Sequence, residues 1–283
     1  MEPLWPLKTS RNTHIMGILN LSPESFSDGD MESSKAANMH RYTTAGVRIL
    51  DVGGQSSAPG ASDISEHEEL SRIIPVITYL NKMKTSPEWD EFAISVDTYR
   101  AFVAQAAVEA GADIINDISG GQMDSDMLPT MARLGKTVCL MHMRGTPSTM
   151  NSLTNYPGGL IPTIAEELLG RVTAAEEAGI RRWRIILDPG IGFAKTSRDN
   201  IEILRRLDEL REWPGLRGMP WLVGPSRKGF IGKVTGVEKP YLRDWGTAAT
   251  VAAAVQGGAD IVRVHRMYDM LDVARMSDAI WRR

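Results

Sequence analysis

Short runs rich in Ile and Val alternate with longer segments of helical period from one end of the chain to the other. That alternation is the pattern of parallel strands joined by crossover helices. Strands are expected at residues 14–20, 47–52, 92–96, 113–116, 137–141, 184–187, 221–223 and 260–264, and helices at 35–46, 66–82, 100–110, 124–134, 161–178, 198–212, 244–256 and 268–282. In the fifth helix Ile161, Ile164, Leu168, Val172 and Ala175 recur at three- and four-residue steps, while Glu166, Glu167, Arg171 and Glu177 lie largely off that face. Gly111, Gly135, Gly179 and Gly257 each fall just after a helix and before the next strand, where a left-handed helix end favours glycine.

Eight such units in 283 residues predict an α/β fold, a single (β/α)8 TIM barrel over residues 13–283, with residues 1–12 as an N-terminal extension or linker. No Pro-, Gly- or Ser-rich linker separates two halves. A doubly wound open sheet is the competing architecture. It usually carries Gly-x-Gly-x-x-Gly after its first strand, whereas this first strand runs into Leu19-Asn20-Leu21-Ser22-Pro23.

Charge narrows the function. Lys plus Arg number 32 against 35 Asp plus Glu, a net charge of −3 with no long basic run, so no nucleic-acid or membrane partner is expected. The single thiol, Cys139, lies in an apolar strand and reads as core; one cysteine makes neither a disulfide framework nor a thiolate zinc site. No apolar run nears the roughly 18 residues of a membrane span, and the first 15 residues lack a signal-peptide core. An intracellular protein, cytoplasmic or mitochondrial, is expected.

Barrel active sites lie at the carboxyl ends of the strands. Here those ends carry Asn20, Asp51, Asp97, Asn116, His142, Asp188, the Ser226-Arg227-Lys228 segment, and Arg263 with His265. Arg263 and His265 are two residues apart, so they project to one face as a pair of cations, with Val262 and Val264 on the other. Loops after strands seven and eight commonly bind phosphate in this fold, and here they supply Arg227, Lys228, Arg263 and His265, which points to a phosphorylated ligand. Asp97, Asn116 and Asp188 offer two carboxylates and an amide, suited to a metal or to a polar heterocycle. A ring bearing a 2-amino group beside an N–H matches a carboxylate better. Phe193, after the glycine-rich turn Asp188-Pro189-Gly190-Ile191-Gly192, is placed to face a ligand ring or to cover core.

These residues occur in an ordered set: Met16-Gly17-Ile18-Leu19-Asn20, Ser25-Phe26-Ser27-Asp28-Gly29, Asp51-Val52-Gly53-Gly54, Ser95-Val96-Asp97-Thr98, Ile115-Asn116-Asp117, Met141-His142-Met143, Asp188-Pro189-Gly190, Ser226-Arg227-Lys228 and Arg263-Val264-His265. Over about residues 13–282 the chain resembles the dihydropteroate synthase family, and most of all the synthase domain of fungal folate-biosynthesis proteins. The resemblance implies a transferase that joins p-aminobenzoate to 6-hydroxymethyl-7,8-dihydropterin diphosphate, releases diphosphate and uses Mg2+. It further implies that Asn20 holds metal and diphosphate, that Arg263 and His265 bind the diphosphate, and that Asp97, Asn116, Asp188 and Lys228 hold the pterin. Ser57, Pro59, Phe193 and Ser226 would line the aminobenzoate side, the target of sulfonamide mimics. A homodimer through outer helices is the implied assembly.

One departure matters. The second loop reads Gly53-Gly54-Gln55-Ser56-Ser57-Ala58-Pro59-Gly60, and Ala58 stands where the family pattern has arginine. A lost charge-assisted hydrogen bond in the transition state would cost about 1.5–3 kcal/mol, or on the order of ten- to a hundredfold in rate. Arg266 sits on the face opposite His265, which argues against its replacing that charge. The alternatives are a pterin-binding paralogue with lost or altered synthase activity, and a pterin-barrel methyltransferase using a reduced folate.

Overall fold

The computed structural model describes residues 12–21, 39–56, 63–86, 89 and 91–282. The 1–12 extension except Asn12, the Ser25–Gly29 motif, the start of the 35–46 helix, and Ser57, Ala58 and Pro59 of the second loop lie outside them. In chain order the elements are β1 (His14–Asn20), α1 (residues 39–45), β2 (Ile49–Gly53), α2 (Glu66–Lys84), β3 (Ala93–Asp97), α3 (Ala101–Ala110), β4 (Ile114–Asp117), α4 (Met127–Leu134) and β5 (Thr137–Met141). There follow α5 (Leu160–Glu177), β6 (Ile185–Asp188), α6 (Ser197–Arg205), α7 (Leu207–Arg211), β7 (Leu222–Val223), α8 (Gly229–Thr235), α9 (Asp244–Gln256), β8 (Ile261–Val264) and α10 (Met267–Trp281).

Neighbouring strands pair in parallel in the order β6-β5-β4-β3-β2-β1-β8-β7, and a parallel bridge from Leu187 to Trp221 closes the ring. The expected TIM barrel is therefore present. At the closure the Leu187 N–H donates to the Pro220 carbonyl at 2.9 Å, and Pro189, two residues on, has no N–H with which to continue the ladder. No helix among the described residues is long and apolar enough to cross a membrane.

The strand period explains both the core and the site. Met16, Ile49, Ile114, Cys139, Ile186, Leu222 and Ile261, with Ala93 against them, form one apolar cluster to which each of the eight strands gives a single residue. This is the filled interior of the barrel. Two residues further along each strand the side chain again points inward. Those positions are Ile18, Asp51, Ser95, Asn116, Met141, Asp188, Gly224 and Arg263, so an apolar floor gives way to a charged layer within one pleat. The intervening residues, among them Ile15, Leu50, Val96, Leu140, Leu187, Val262 and Val264, face outward into a second core shared with the helices. On α5, Ile161, Ile164, Leu168, Val172 and Ala175 are fully buried in that core, each large side chain adding about 1.5–3 kcal/mol.

The differences from expectation are local. The helix expected over 198–212 is two helices, broken at Arg206, where φ −121° and ψ 26° leave the helical region. α6 begins on a reciprocal cap between Thr196 and Asp199. Helix α8 follows the Ser226-Arg227-Lys228 segment, which sequence reading left without one; its Gly229 and Gly232 are poor helix formers. Gly111, Gly135 and Gly179 have the positive φ expected of them, but Gly257 stays right-handed and Gly258 takes the turn at φ 94°. Asp51 is not a strand terminus. It lies in the middle of β2, fully buried.

Candidate active site

A cavity of about 700 Å3 opens at the carboxyl ends of the strands, and Asn20, Asp97, Phe193, Ser226, Arg227, Lys228, Arg263 and His265 all line it. Asn20, last in β1, is exposed on its wall. Asn116 and Asp188, each 5% exposed, do not line it but belong to the charged layer that includes Arg263. His142 turns the other way: it is fully buried, with its Nε2 2.8 Å from Glu167 on α5.

Arg263 is the hub of the charged layer. Its Nε donates to Asp51 Oδ2 and its Nη2 to Asp97 Oδ2, both at 2.6 Å, and Asp51 Oδ2 also accepts from the Asn116 amide at 3.1 Å. Burial works against the guanidinium charge, but Asp51 and Asp97 outweigh it and raise the Arg263 pKa above its ordinary value. Among the described residues Nη1 has no such carboxylate partner and is the part of the fork left for an incoming anion.

The acids in this layer are poised near neutrality. Burial pushes Asp188 up to about 6, although its Oδ1 accepts the Gly190 N–H at 2.7 Å. Asp97 is raised to about 7, burial and the Asp51 charge prevailing over Arg263. Lys228 moves the other way, lowered to about 8 by burial and by Arg263. Its Nζ lies 4.0 Å from the centre of the Phe193 ring, a cation–π contact at the cavity wall.

The expected pair of cations is not what the structure holds. Burial and the nearby Arg227, Arg263 and Lys228 lower His265 to about 4, so at pH 7 its ring is neutral. Ser226 Oγ lies 2.9 Å from His265 Nδ1 and accepts the His265 backbone N–H at 3.2 Å. A hydroxyl that accepts from that N–H and donates to Nδ1 satisfies both contacts, which places the ring proton on Nε2 as a neutral donor. His265 also lies beyond the end of β8 at Val264. Arg227, at φ 60°, pairs with Asp244 at 2.8 Å and takes Thr247 Oγ1 on its backbone N–H, so its charge is matched within the loop.

Sequence reasoning missed several wall residues, chiefly Lys195, Thr196, Asn200, Tyr241 and Arg243. Lys195 lies two residues beyond Phe193 in the run Gly192-Phe193-Ala194-Lys195, and a lysine so close to a glycine-rich turn was the available signal. Among the described residues no three His, Cys, Asp or Glu side chains converge as metal ligands. Asn20 does offer one amide oxygen on the cavity wall, which fits an ion that takes few protein ligands and completes its shell from substrate phosphates and water.

Residues 16–265 match the family described as pterin binding enzyme. The folic acid synthesis protein of Pneumocystis carinii is 48% identical over 272 residues, covering 95% of this chain and 36% of its own length, so this chain spans about a third of that fungal relative. The dihydropteroate synthase of Synechocystis is 46% identical over 96% of this chain and 91% of its own. The structure of a dihydropteroate synthase from Clostridium difficile in the presence of pteroic acid superposes with a TM-score of 0.85 at 40% identity, covering 98% of this chain and all of that one. The family match over residues 16–265, with the Synechocystis synthase aligned over nearly the whole of both chains, places the chain in the pterin binding enzyme family, among the dihydropteroate synthases.

Proposed function

We propose that the chain joins p-aminobenzoate to 6-hydroxymethyl-7,8-dihydropterin diphosphate, forming dihydropteroate and diphosphate. The observation that carries this reading is the division of one site into two chemistries. The partly buried Asp97 and buried Asp188 carboxylates, with the Asn116 amide and Lys228, suit the polar edge of a pterin ring, and Arg263 Nη1 and the His265 Nε2–H are donors for a diphosphate. The Clostridium difficile structure was determined in the presence of pteroic acid, in which a pterin is already joined to p-aminobenzoate.

In the reaction the lone pair of the aromatic amine forms the new C–N bond to the pterin methylene carbon. The C–O bond breaks with its electron pair on the departing diphosphate, and the amine proton goes to solvent. Donors fixed where charge develops on that oxygen lower the barrier. The amine is neutral at pH 7 and already nucleophilic, so orienting it is the remaining task, met by the Phe193 and Ser226 side of the cavity. Asn20 would hold Mg2+, which when bound neutralises diphosphate charge. Ser57 and Pro59 would complete the aminobenzoate side, where sulfonamides would compete.

Two further proposals belong to this reading. The chain pairs as a homodimer through α8–α10, where Val234, Trp245, Met276 and Ile280 are exposed, and sedimentation as a monomer at micromolar concentration would refute that. It acts inside the cell, in cytoplasm or mitochondrion, which localisation of a tagged chain would decide.

The test of the reaction is diphosphate release from dihydropterin diphosphate with Mg2+, with and without p-aminobenzoate, in the native chain and an Ala58→Arg variant. Turnover that requires aminobenzoate and chelatable Mg2+, and that rises in the variant, is the expected result. Pterin binding with no turnover in either form would sink the synthase reading and leave a binding paralogue.

A further inference from the structure

The turn that carries Phe193 has three residues at positive φ in five: Gly190 at 70°, Gly192 at 83° and Ala194 at 51°. An alanine in that region is strained, so the turn must be held by its surroundings. Beyond Asp188, which takes the Gly190 N–H, three side chains hold it. Asn200 Oδ1 accepts the Gly192 N–H at 2.6 Å, the Tyr156 hydroxyl donates to the Ala194 carbonyl at 2.9 Å, and Lys195 Nζ donates to the Phe193 carbonyl at 2.9 Å.

Lys195 differs from the other two because it is wired to a charge outside the cavity. Its Nζ lies 2.9 Å from His142 Nδ1 and 3.4 Å from the His142 carbonyl, while His142 Nε2 meets Glu167 at 2.8 Å. Arg144 clamps the same carboxylate through Nε at 3.0 Å and Nη2 at 2.5 Å. Lys195 lines the cavity beside Phe193; Glu167 and Arg144 do not. A lysine ammonium has only donors, so His142 Nδ1 must accept and its Nε2–H must donate to Glu167. The charge states agree. Burial, with Lys195 nearby, lowers His142 to about 3, and against its own burial Glu167 is held to about 2 by His142 and Arg144. Burial lowers Lys195 to about 7, so below that pH a neutral ring relays between a carboxylate and a protonated lysine.

We propose that Lys195, braced by Glu167 through His142, is a positioning residue for the aminobenzoate half of the site: it fixes the Phe193 carbonyl and with it the ring that faces the aromatic amine. The inference rests on the synthase reading of the cavity, and it assigns Lys195 no contact with the pterin or the diphosphate. Removing the lysine or weakening its brace should therefore loosen one substrate and spare the other.

The experiment measures kcat and both KM values for the native chain, Lys195→Met and Glu167→Gln, with a thermal melt of each. Lys195→Met should raise the KM for p-aminobenzoate tenfold or more while the KM for dihydropterin diphosphate stays within twofold. Glu167→Gln, at a partly exposed position remote from the cavity, should fold and give the same split at about threefold. An unchanged aminobenzoate KM in both variants overturns the proposal. So does a parallel fall of all constants that tracks the melt, since that is a structural role. Absence of aminobenzoate-dependent turnover in the native chain fails the synthase reading itself and is thereby distinguished from either result.

Discussion

Asp188→Asn should make the empty protein more stable and the enzyme worse. Burial raises the native carboxyl from 3.8 to about 6, which corresponds to about 3 kcal/mol between its two protonation states. A carboxyl whose pKa is higher in the folded state favours folding below the unfolded value of 3.8 and loses that contribution as pH rises through 6. At pH 8 the ionised group therefore costs about 3 kcal/mol, falling to roughly half of that at pH 5 and below 1 kcal/mol at pH 4. An asparagine keeps the acceptor for the Gly190 N–H, 2.7 Å away in the native chain, and does not titrate. Urea denaturation at pH 8, 5 and 4 should show the titrating part of the variant's advantage over the native chain shrinking by roughly half between pH 8 and 5, on top of whatever constant the amide's own burial adds. Pterin affinity should fall about a hundredfold, because the exchange removes a charged acceptor and presents a donor in its place. A stability difference that does not change with pH, or that grows as pH falls, would refute the account of Asp188 as a strained ionised group.

Arg263→Met strands Asp51, fully buried with Oδ1 already lacking a partner among the described residues, and should cost about 3–5 kcal/mol in urea denaturation as well as turnover. Cys139 sits in the barrel floor with its thiol pushed well above 9 by burial, so it should resist a disulfide reagent in the native chain and react at once in denaturant. His265, at about 4 when the cavity is empty, should rise when an anion arrives. Calorimetry of diphosphate binding at pH 5.5 in buffers of different ionisation enthalpy should show proton uptake that is smaller in His265→Asn, and equal uptake in both proteins would contradict the neutral-donor reading.

The barrel was legible because each strand is a short Ile- and Val-rich run, and the site because polar residues recur two positions beyond the apolar floor, as Asn116 follows Ile114 and Asp188 follows Ile186. What was not legible depends on partners distant in the chain. Nothing near Arg263 in sequence says that Asp51, 212 residues away, occupies half its fork. The protonation state of His265 follows from three cations and from burial, none of which a spacing rule weighs. Asp51 falls near the end of the strand expected over 47–52, and only the register of β2 between Ile18 and Ser95 puts it in the middle of the strand, inside the barrel. His142 has the right place in the sequence for a cavity residue, but the chain turns it outward to Glu167. The break at Arg206 carries no Gly or Pro to announce it.

The single bridge that closes the barrel makes its wall a hoop with one weak clasp. Asp188 ends the strand on one side of that clasp, and Lys228 follows the two-residue strand on the other. A ligand gripped by both would span the seam and act as a strap around the hoop, so occupancy of the site should slow hydrogen exchange at the Leu187 amide, which forms the clasp, more than at amides on the far wall such as Val52. Substrate would then serve as part of the circumference of the fold that binds it.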